Sequence, residues 1–152
     1  MEYTVTSIGT VHSPVKEGTD QHWGKVIAEI HLLPKYGAGV QGLTEFSHLL
    51  VLFFMHQSSF DLSKDLIRRP RGRKDMPLLG IFSQRAKHRP NPIGVTAVKL
   101  LGIQDNVLMV QGLDAIDGTP VIDLKPYVPL FDSASDAVIP AWIDTLMRDY
   151  FS

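Results

Sequence analysis

Cysteine is missing from this 152-residue chain. That excludes disulfides, thiolate metal sites and a cysteine nucleophile, and it fits a reducing, cytoplasmic setting. Long apolar runs are missing too: the longest, Leu49 to Met55, falls well short of the ~18 residues a membrane helix needs. The opening MEYTVTSIGTVHSP has neither the basic start nor the apolar stretch of a signal peptide. GxxxxGK[ST] does not occur, nor does GxGxxG after a strand, so neither a P-loop nor a Rossmann nucleotide site is expected. The six histidines (His12, His22, His31, His48, His56 and His88) are never spaced as HxH, HxxxH or HExxH, which argues against a metal centre. A serine triad has no GxSxG elbow to support it.

Charge of one sign is scarce in the total and concentrated in places. The net charge is −1, yet nine of the fifteen Lys and Arg lie between Lys64 and Arg89, facing only Asp65 and Asp75. From Gln104 onward eight aspartates face only Lys125 and Arg148. Such a basic stretch is the electrostatic footprint of a polyanion, with a plainly solvated surface as the ordinary alternative. The apolar fraction of 44% is that of a soluble globule, and a chain of this length fits one domain over residues 1–152.

Strand periodicity dominates. Tyr3 to Val11 alternates, and Lys25 to Leu32 sets Val26, Ala28, Ile30 and Leu32 on one face against Lys25, Glu29 and His31 on the other. His48 to His56 reads as a strand buried on both faces. Leu78–Ser83, Ile93–Ile103, Val107–Gln111 and Thr119–Leu124 complete seven strands, with Asp105-Asn106 as a hairpin turn. The expected fold is mainly β, a small closed or nearly closed barrel. A short helix over Gly42–Ser47, capped by Thr44, and a helix from Pro140 to Phe151 join it. Trp142, Ile143, Leu146, Met147 and Tyr150 form an apolar stripe on the latter. Ser13–Gly24 and Ser58–Met76 read as loops.

The stretch GIFSQRAKHRPNPIG, Gly80 to Gly94, is the most informative. Pro90 and Pro92 fix φ on both sides of Asn91, and Gly80 and Gly94 permit a turn or a close approach. A plain surface turn has no need of two prolines around one Asn. Three further polar clusters stand at strand ends or in loops: His12 to Gly24, His56-Gln57, and Leu113 to Pro129 with its Asp-Gly-Thr-Pro corner. Ordinary structural readings stand beside these. Asp114 and Asp117 suit a turn as well as an acid–base pair. His48 and His56 suit strand ends, and Lys125 suits a pair with Asp123 or Asp117.

HSP, GLTEFSHLLVLFFMHQ, GIFSQRAKHRPNPIG and LDAIDGTPVIDLKPYVP, in that order and at those separations, resemble the TrmO (TsaA-like) family of S-adenosylmethionine-dependent tRNA methyltransferases. The resemblance spans about residues 5 to 131, and RPNPIG and DGTPVxDxKPY are its most specific elements. It implies a β-barrel, a homodimer, S-adenosylmethionine as methyl donor, and methylation of N6 of threonylcarbamoyl-adenosine at position 37 of tRNA. It places cofactor contacts on Gln21, His22, Trp23, His56, Gln57, Arg85, Val95 and Asp114, Ala115, Ile116 and Asp117. The loop between the arginines departs from the common Ser-Pro or Ser-Thr and reads Ala86-Lys87. Longer members carry a further domain after the barrel, which leaves open which tRNAs are read. A same-fold enzyme acting on another adenosine or a small molecule, or a non-catalytic cofactor- or RNA-binding module, are the alternatives.

On that reading Arg85 grips the cofactor's carboxylate, Asn91 orients N6, Arg89 stabilises the carbamoyl oxygen, and Asp117 or His88 takes the proton. Arg68, Arg69, Arg71, Arg73, Lys74 and Lys87 meet the phosphates of an anticodon stem-loop. Trp23 or Tyr127 offers a stacking face for a splayed base, though each suits the core or an interface better.

Overall fold

The computed structural model describes residues 1–152. The elements in chain order are β1 (Gly9–His12), β2 (Ile27–Leu32), β3 (His48–Phe54), α1 (Leu62–Asp65), β4 (Ile67–Arg68) and β5 (Leu79–Gly80). Then follow β6 (Ile93–Gln104), β7 (Val107–Gln111), β8 (Pro120–Pro126), α2 (Pro129–Asp132) and α3 (Ala141–Met147). Six strands close an antiparallel barrel in the order β1-β2-β7-β6-β3-β8. Its registers include Ile30 opposite Val11 and Leu108, and Val51 opposite Thr96 and Leu124. Short β4 and β5 pair only with each other, outside the barrel.

Alternation determines which side chains fill the interior. Ala28, Ile30 and Leu32 point inward from β2, Leu49, Val51 and Phe53 from β3, and Leu108 and Val110 from β7. Val11, Val98, Leu113, Ala115 and Val121 complete the buried cluster. Each large aliphatic or aromatic side chain fully buried this way contributes roughly 1.5–3 kcal/mol. Asp105, with φ +54°, turns β6 into β7 in the expected hairpin.

Six expectations change. The first strand begins at Gly9, and Tyr3 and Val5 are exposed. Leu78–Ser83 contributes only the two residues of β5 before a 3-10 turn over Ile81–Ser83, so the barrel has six strands. β3 is buried on one face: Leu50 and Leu52 are half-buried and Phe54 is exposed, because no layer of this chain covers that side. The Gly42–Ser47 helix is a 3-10 turn over Leu43–Glu45, whose N-cap is Gly42 and not Thr44. The last helix stops at Met147, short of Phe151. The Ser58–Met76 loop also carries α1, where Asp61 caps Ser63.

Gly94 shows why the proline-framed hairpin needs glycine at its exit. A methyl group built there would collide with the Phe53 ring. Gly94→Ala is expected to lower stability by about 1–3 kcal/mol through overpacking, read as a fall in Tm, while Gly80→Ala, with nothing within 4 Å of the added carbon, should be near neutral.

Candidate active site

The hairpin and the Asp-Gly-Thr-Pro corner meet through the end of β3. The Met55 amide donates to the Pro92 carbonyl at 2.8 Å, which fixes His56 beside the hairpin. On its other side, a carbon built on Gly118 would lie 4.0 Å from His56 Nε2. The corner is itself tied to β1: the Gly118 amide donates to Val11 and the Val11 amide to Thr119. His56, Asn91, Pro92 and Asp117-Gly118 therefore share one rim of the barrel.

Within the hairpin the guanidinium groups take different directions. Arg89 Nη1 donates to the carbonyls of Gln84 at 2.8 Å and Ala86 at 3.3 Å, so Arg89 braces the hairpin from inside. Arg85 is exposed and spends Nη2 on the Val95 carbonyl at 2.8 Å, keeping its other donors. The Asn91 carbonyl accepts from the Ile93 amide at 2.7 Å. This tight turn leaves the exposed Asn91 carboxamide without a protein partner. His88 Nδ1 lies 2.9 Å from the Ser59 carbonyl and 3.2 Å from its amide. In the tautomer that donates Nδ1–H to the Ser59 carbonyl, Nε2 is the acceptor nitrogen.

Across the rim, the two aspartates differ. Asp117 accepts from Lys16 Nζ and from the Ser13 amide, each at 2.9 Å. Those two contacts, the lysine first, hold its carboxyl below the usual carboxylate range. That makes Asp117 a poor proton acceptor and a good anchor for the corner. Asp114 accepts from Thr96 Oγ1 on one oxygen and from the Tyr150 hydroxyl on the other. The amides of Asp114, Ala115 and Ile116 donate to no protein acceptor, although Ala115 is only 3% exposed. Backbone donors left so near the interior call for a partner. Three successive amides of this kind can donate to the hydrogen-bond acceptors of a ligand.

Gln21 and His22 are exposed, but Trp23 is 2% exposed and donates its indole N–H to the Thr19 carbonyl. Trp23 is therefore a core anchor and not a stacking face. Gln57 is exposed beside His56, and Val95 faces outward at 40% exposure. Tyr127 is half-buried at 6.3 Å from the His48 ring, and Lys125 pairs with Asp123 at 2.9 Å.

The basic stretch is less free than its composition suggests. Arg68 pairs with Asp65 at 3.1 Å and Arg73 with Asp75 at 2.6 Å. Arg69 donates to the Met76 carbonyl at 2.6 Å. Arg71 turns to the Leu146 carbonyl at 2.8 Å and to Asp20 at 3.5 Å. Lys74 and Lys87 remain exposed without an acidic partner, and Lys87 Nζ reaches within 3.8 Å of a carbon built on Gly18. Sequence reasoning missed the last residues of the chain as part of this neighbourhood: Tyr150 looks like one more position on an apolar stripe. A groove of about 240 Å³ lined by Val5, Ser7, Phe54, Pro120 and Ile122 opens beside the rim. A second, of about 420 Å³, is lined by residues of β2, β6 and β7 such as Glu29 and Met109.

Comparison with known proteins agrees with this architecture. Residues 11–133 match the model of the tRNA-methyltransferase O N-terminal domain. A probable S-adenosyl-L-methionine-binding protein of Methanothermobacter thermautotrophicus is 40% identical over 137 residues, 88% of this chain and 96% of that protein. The tRNA (adenine(37)-N6)-methyltransferase of Escherichia coli is 40% identical over 143 residues, 86% of this chain and 60% of the enzyme. The crystal structure of TrmO from Pseudomonas aeruginosa superposes with a TM-score of 0.76 at 34% identity, covering 93% of this chain and 62% of that one. Thus the barrel, with its proline-framed hairpin set against the Asp-Gly-Thr-Pro corner, belongs to the tRNA-methyltransferase O family.

Proposed function

We propose that this chain is an S-adenosylmethionine-dependent tRNA methyltransferase acting in the cytoplasm as a homodimer, and that its acceptor is N6 of threonylcarbamoyl-adenosine at position 37. The observation that carries the reading is the junction at His56, where the Asn91 turn and the unpartnered amides of Asp114 to Ile116 border the same rim. S-adenosylmethionine supplies an electrophilic methyl group on a sulfonium. Arg85, with its spare N–H donors, suits the carboxylate of that cofactor, and the amides of Asp114 to Ile116 suit its adenine. His56, Gln57, Gln21 and Val95 border the same region.

N6 of the acceptor is ureido-like, so its lone pair is delocalised and its proton must leave as the new N–C bond forms. His88 Nε2 has an unused lone pair and takes that proton, a role for which Asp117 is poorly suited because Lys16 holds it ionised. Asn91 presents a carboxamide oxygen to the N6 proton, and Pro90 and Pro92 keep it from turning away. Positioning of this kind supplies much of the rate in an in-line displacement. Lys74 and Lys87, with the exposed edges of Arg69 and Arg73, meet the anticodon stem-loop phosphates.

Calorimetry with S-adenosylmethionine and mass spectrometry of tRNA nucleosides after incubation test the reading together. The expected result is cofactor binding followed by a gain of one methyl group on threonylcarbamoyl-adenosine. Methylation of an unmodified adenosine instead would replace the acceptor, and binding without any methyl transfer would reduce the chain to a cofactor-binding module.

A further inference from the structure

The segment after α3 does more than cover apolar surface. The carbonyls of Asp149 and Tyr150 accept from the amides of His22 and Trp23, both at 2.8 Å. Gly24 lets the chains lie flat, because a carbon built there would collide with the Phe151 carbonyl oxygen. His22 Nδ1 also meets Ser152 Oγ at 3.0 Å. From the same turn the Tyr150 hydroxyl reaches across to Asp114, whose other oxygen is held by Thr96 of β6. The Tyr150 ring is braced edge-on by Phe151 at 4.8 Å, and Arg71 caps the Leu146 carbonyl behind it.

We propose that Tyr150 is a positioning residue that joins the Gln21–Trp23 loop and the Asp114–Asp117 loop into one unit and so sets the affinity for S-adenosylmethionine. Two loops far apart in sequence each border the expected cofactor region. The β2–β7 ladder and the Gln111 contact with the Gly24 carbonyl hold only their roots together, and Tyr150 is the link farther along both loops. It joins them with its backbone on one side and its hydroxyl on the other. Asp114, with both oxygens occupied by protein donors, serves as the fixed post that holds the adjacent amides in place. Burial, and then the Asp114 charge beside it, pushes the phenol above the ordinary tyrosine range. The hydroxyl therefore remains a donor to Asp114 across the working pH range. This inference rests on the cofactor reading above, but the mechanical coupling is measurable without cofactor.

The test is Tyr150→Phe in the full chain, which keeps the ring and the backbone contacts and removes only the hydroxyl. Hydrogen exchange without ligand should show protection falling about tenfold at the hydrogen-bonded amides of both loops together, His22 and Trp23 on one side and Asp117 on the other, with β2, β3 and β7 unchanged. Calorimetry should show S-adenosylmethionine binding about tenfold weaker, and kinetics should show a raised cofactor KM with kcat at saturation preserved. Unchanged exchange in either loop overturns the coupling. A lowered Tm with unchanged cofactor affinity in a protein whose wild type binds it leaves Tyr150 purely structural and also overturns the proposal. If the wild type binds no S-adenosylmethionine, the cofactor reading fails, and with it the claim on affinity, while the exchange experiment still decides whether the two loops are joined.

Discussion

Asn91→Ala is expected to lower kcat about 10²-fold, the scale seen when a preorganised hydrogen-bonding group at a reacting centre is removed, while leaving S-adenosylmethionine affinity as in the wild type. The reasons are local. Asn91 is exposed, its carboxamide has no protein partner, and its backbone is locked by the turn to Ile93 between two prolines. The side chain thus contributes nothing to the fold that a methyl group cannot replace, so a lost rate cannot be ascribed to unfolding. Asn91→Asp retains the acceptor oxygen and should lose less rate than Asn91→Ala, provided the oxygen is the working atom. Single-turnover methylation with saturating tRNA, alongside calorimetry with the cofactor, separates the two effects. Full turnover in Asn91→Ala would remove the orienting role, and a loss confined to cofactor binding would move Asn91 to the other half of the site.

The barrel strands were legible wherever alternation was strong. β2 and β7 follow the expected ranges within two residues, because one face meets the core and the other meets water. Tyr3 to Ile8 alternates moderately and forms no ladder, since pairing with β2 and β8 engages only from the Ile8 and Gly9 region. Periodicity reports which residues would suit a strand and says nothing of whether a neighbouring edge is free. The hairpin was legible from its prolines, as their effect on φ is local. The directions of its arginines were not. Whether Arg89 points at a substrate or back at Gln84 depends on where the Gln84 carbonyl comes to lie, and that is fixed by the buried Ile81 and Gln84 of the preceding turn. Arg71 is a similar case: a residue 75 positions away decides its direction. Tyr150 carried no signal at all, because a tyrosine on an apolar stripe looks the same whether its hydroxyl meets water or Asp114.

β3 is the element whose sequence and structure disagree most usefully. Its seven apolar or half-apolar positions predict burial on both faces, yet in one chain only Leu49, Val51 and Phe53 are enclosed. On the outer face Leu50 stands opposite Ala97, Leu52 opposite Val95 and Phe54 opposite Ile93. Phe54, Ile93 and Val95 are 40%, 45% and 40% exposed, a continuous apolar strip that runs to the candidate site and includes a residue expected to touch cofactor. A second copy of the chain seated on this strip would bury it and would wall off a site that one barrel leaves open. Phe54→Asp should therefore convert a dimer into a monomer, since an unpaired carboxylate at the centre of such an interface costs about 3–5 kcal/mol, or about 10²–10⁴-fold in the dissociation constant. Because Phe54 is already exposed in the single chain, the variant should still fold, with a barrel indistinguishable by circular dichroism. Sedimentation at micromolar concentration should show the monomer, and methyl transfer should fall in step with the dimer fraction, returning as protein concentration is raised. A wild type that sediments as an active monomer would show instead that the outer face of β3 serves another partner and that one barrel carries the whole site.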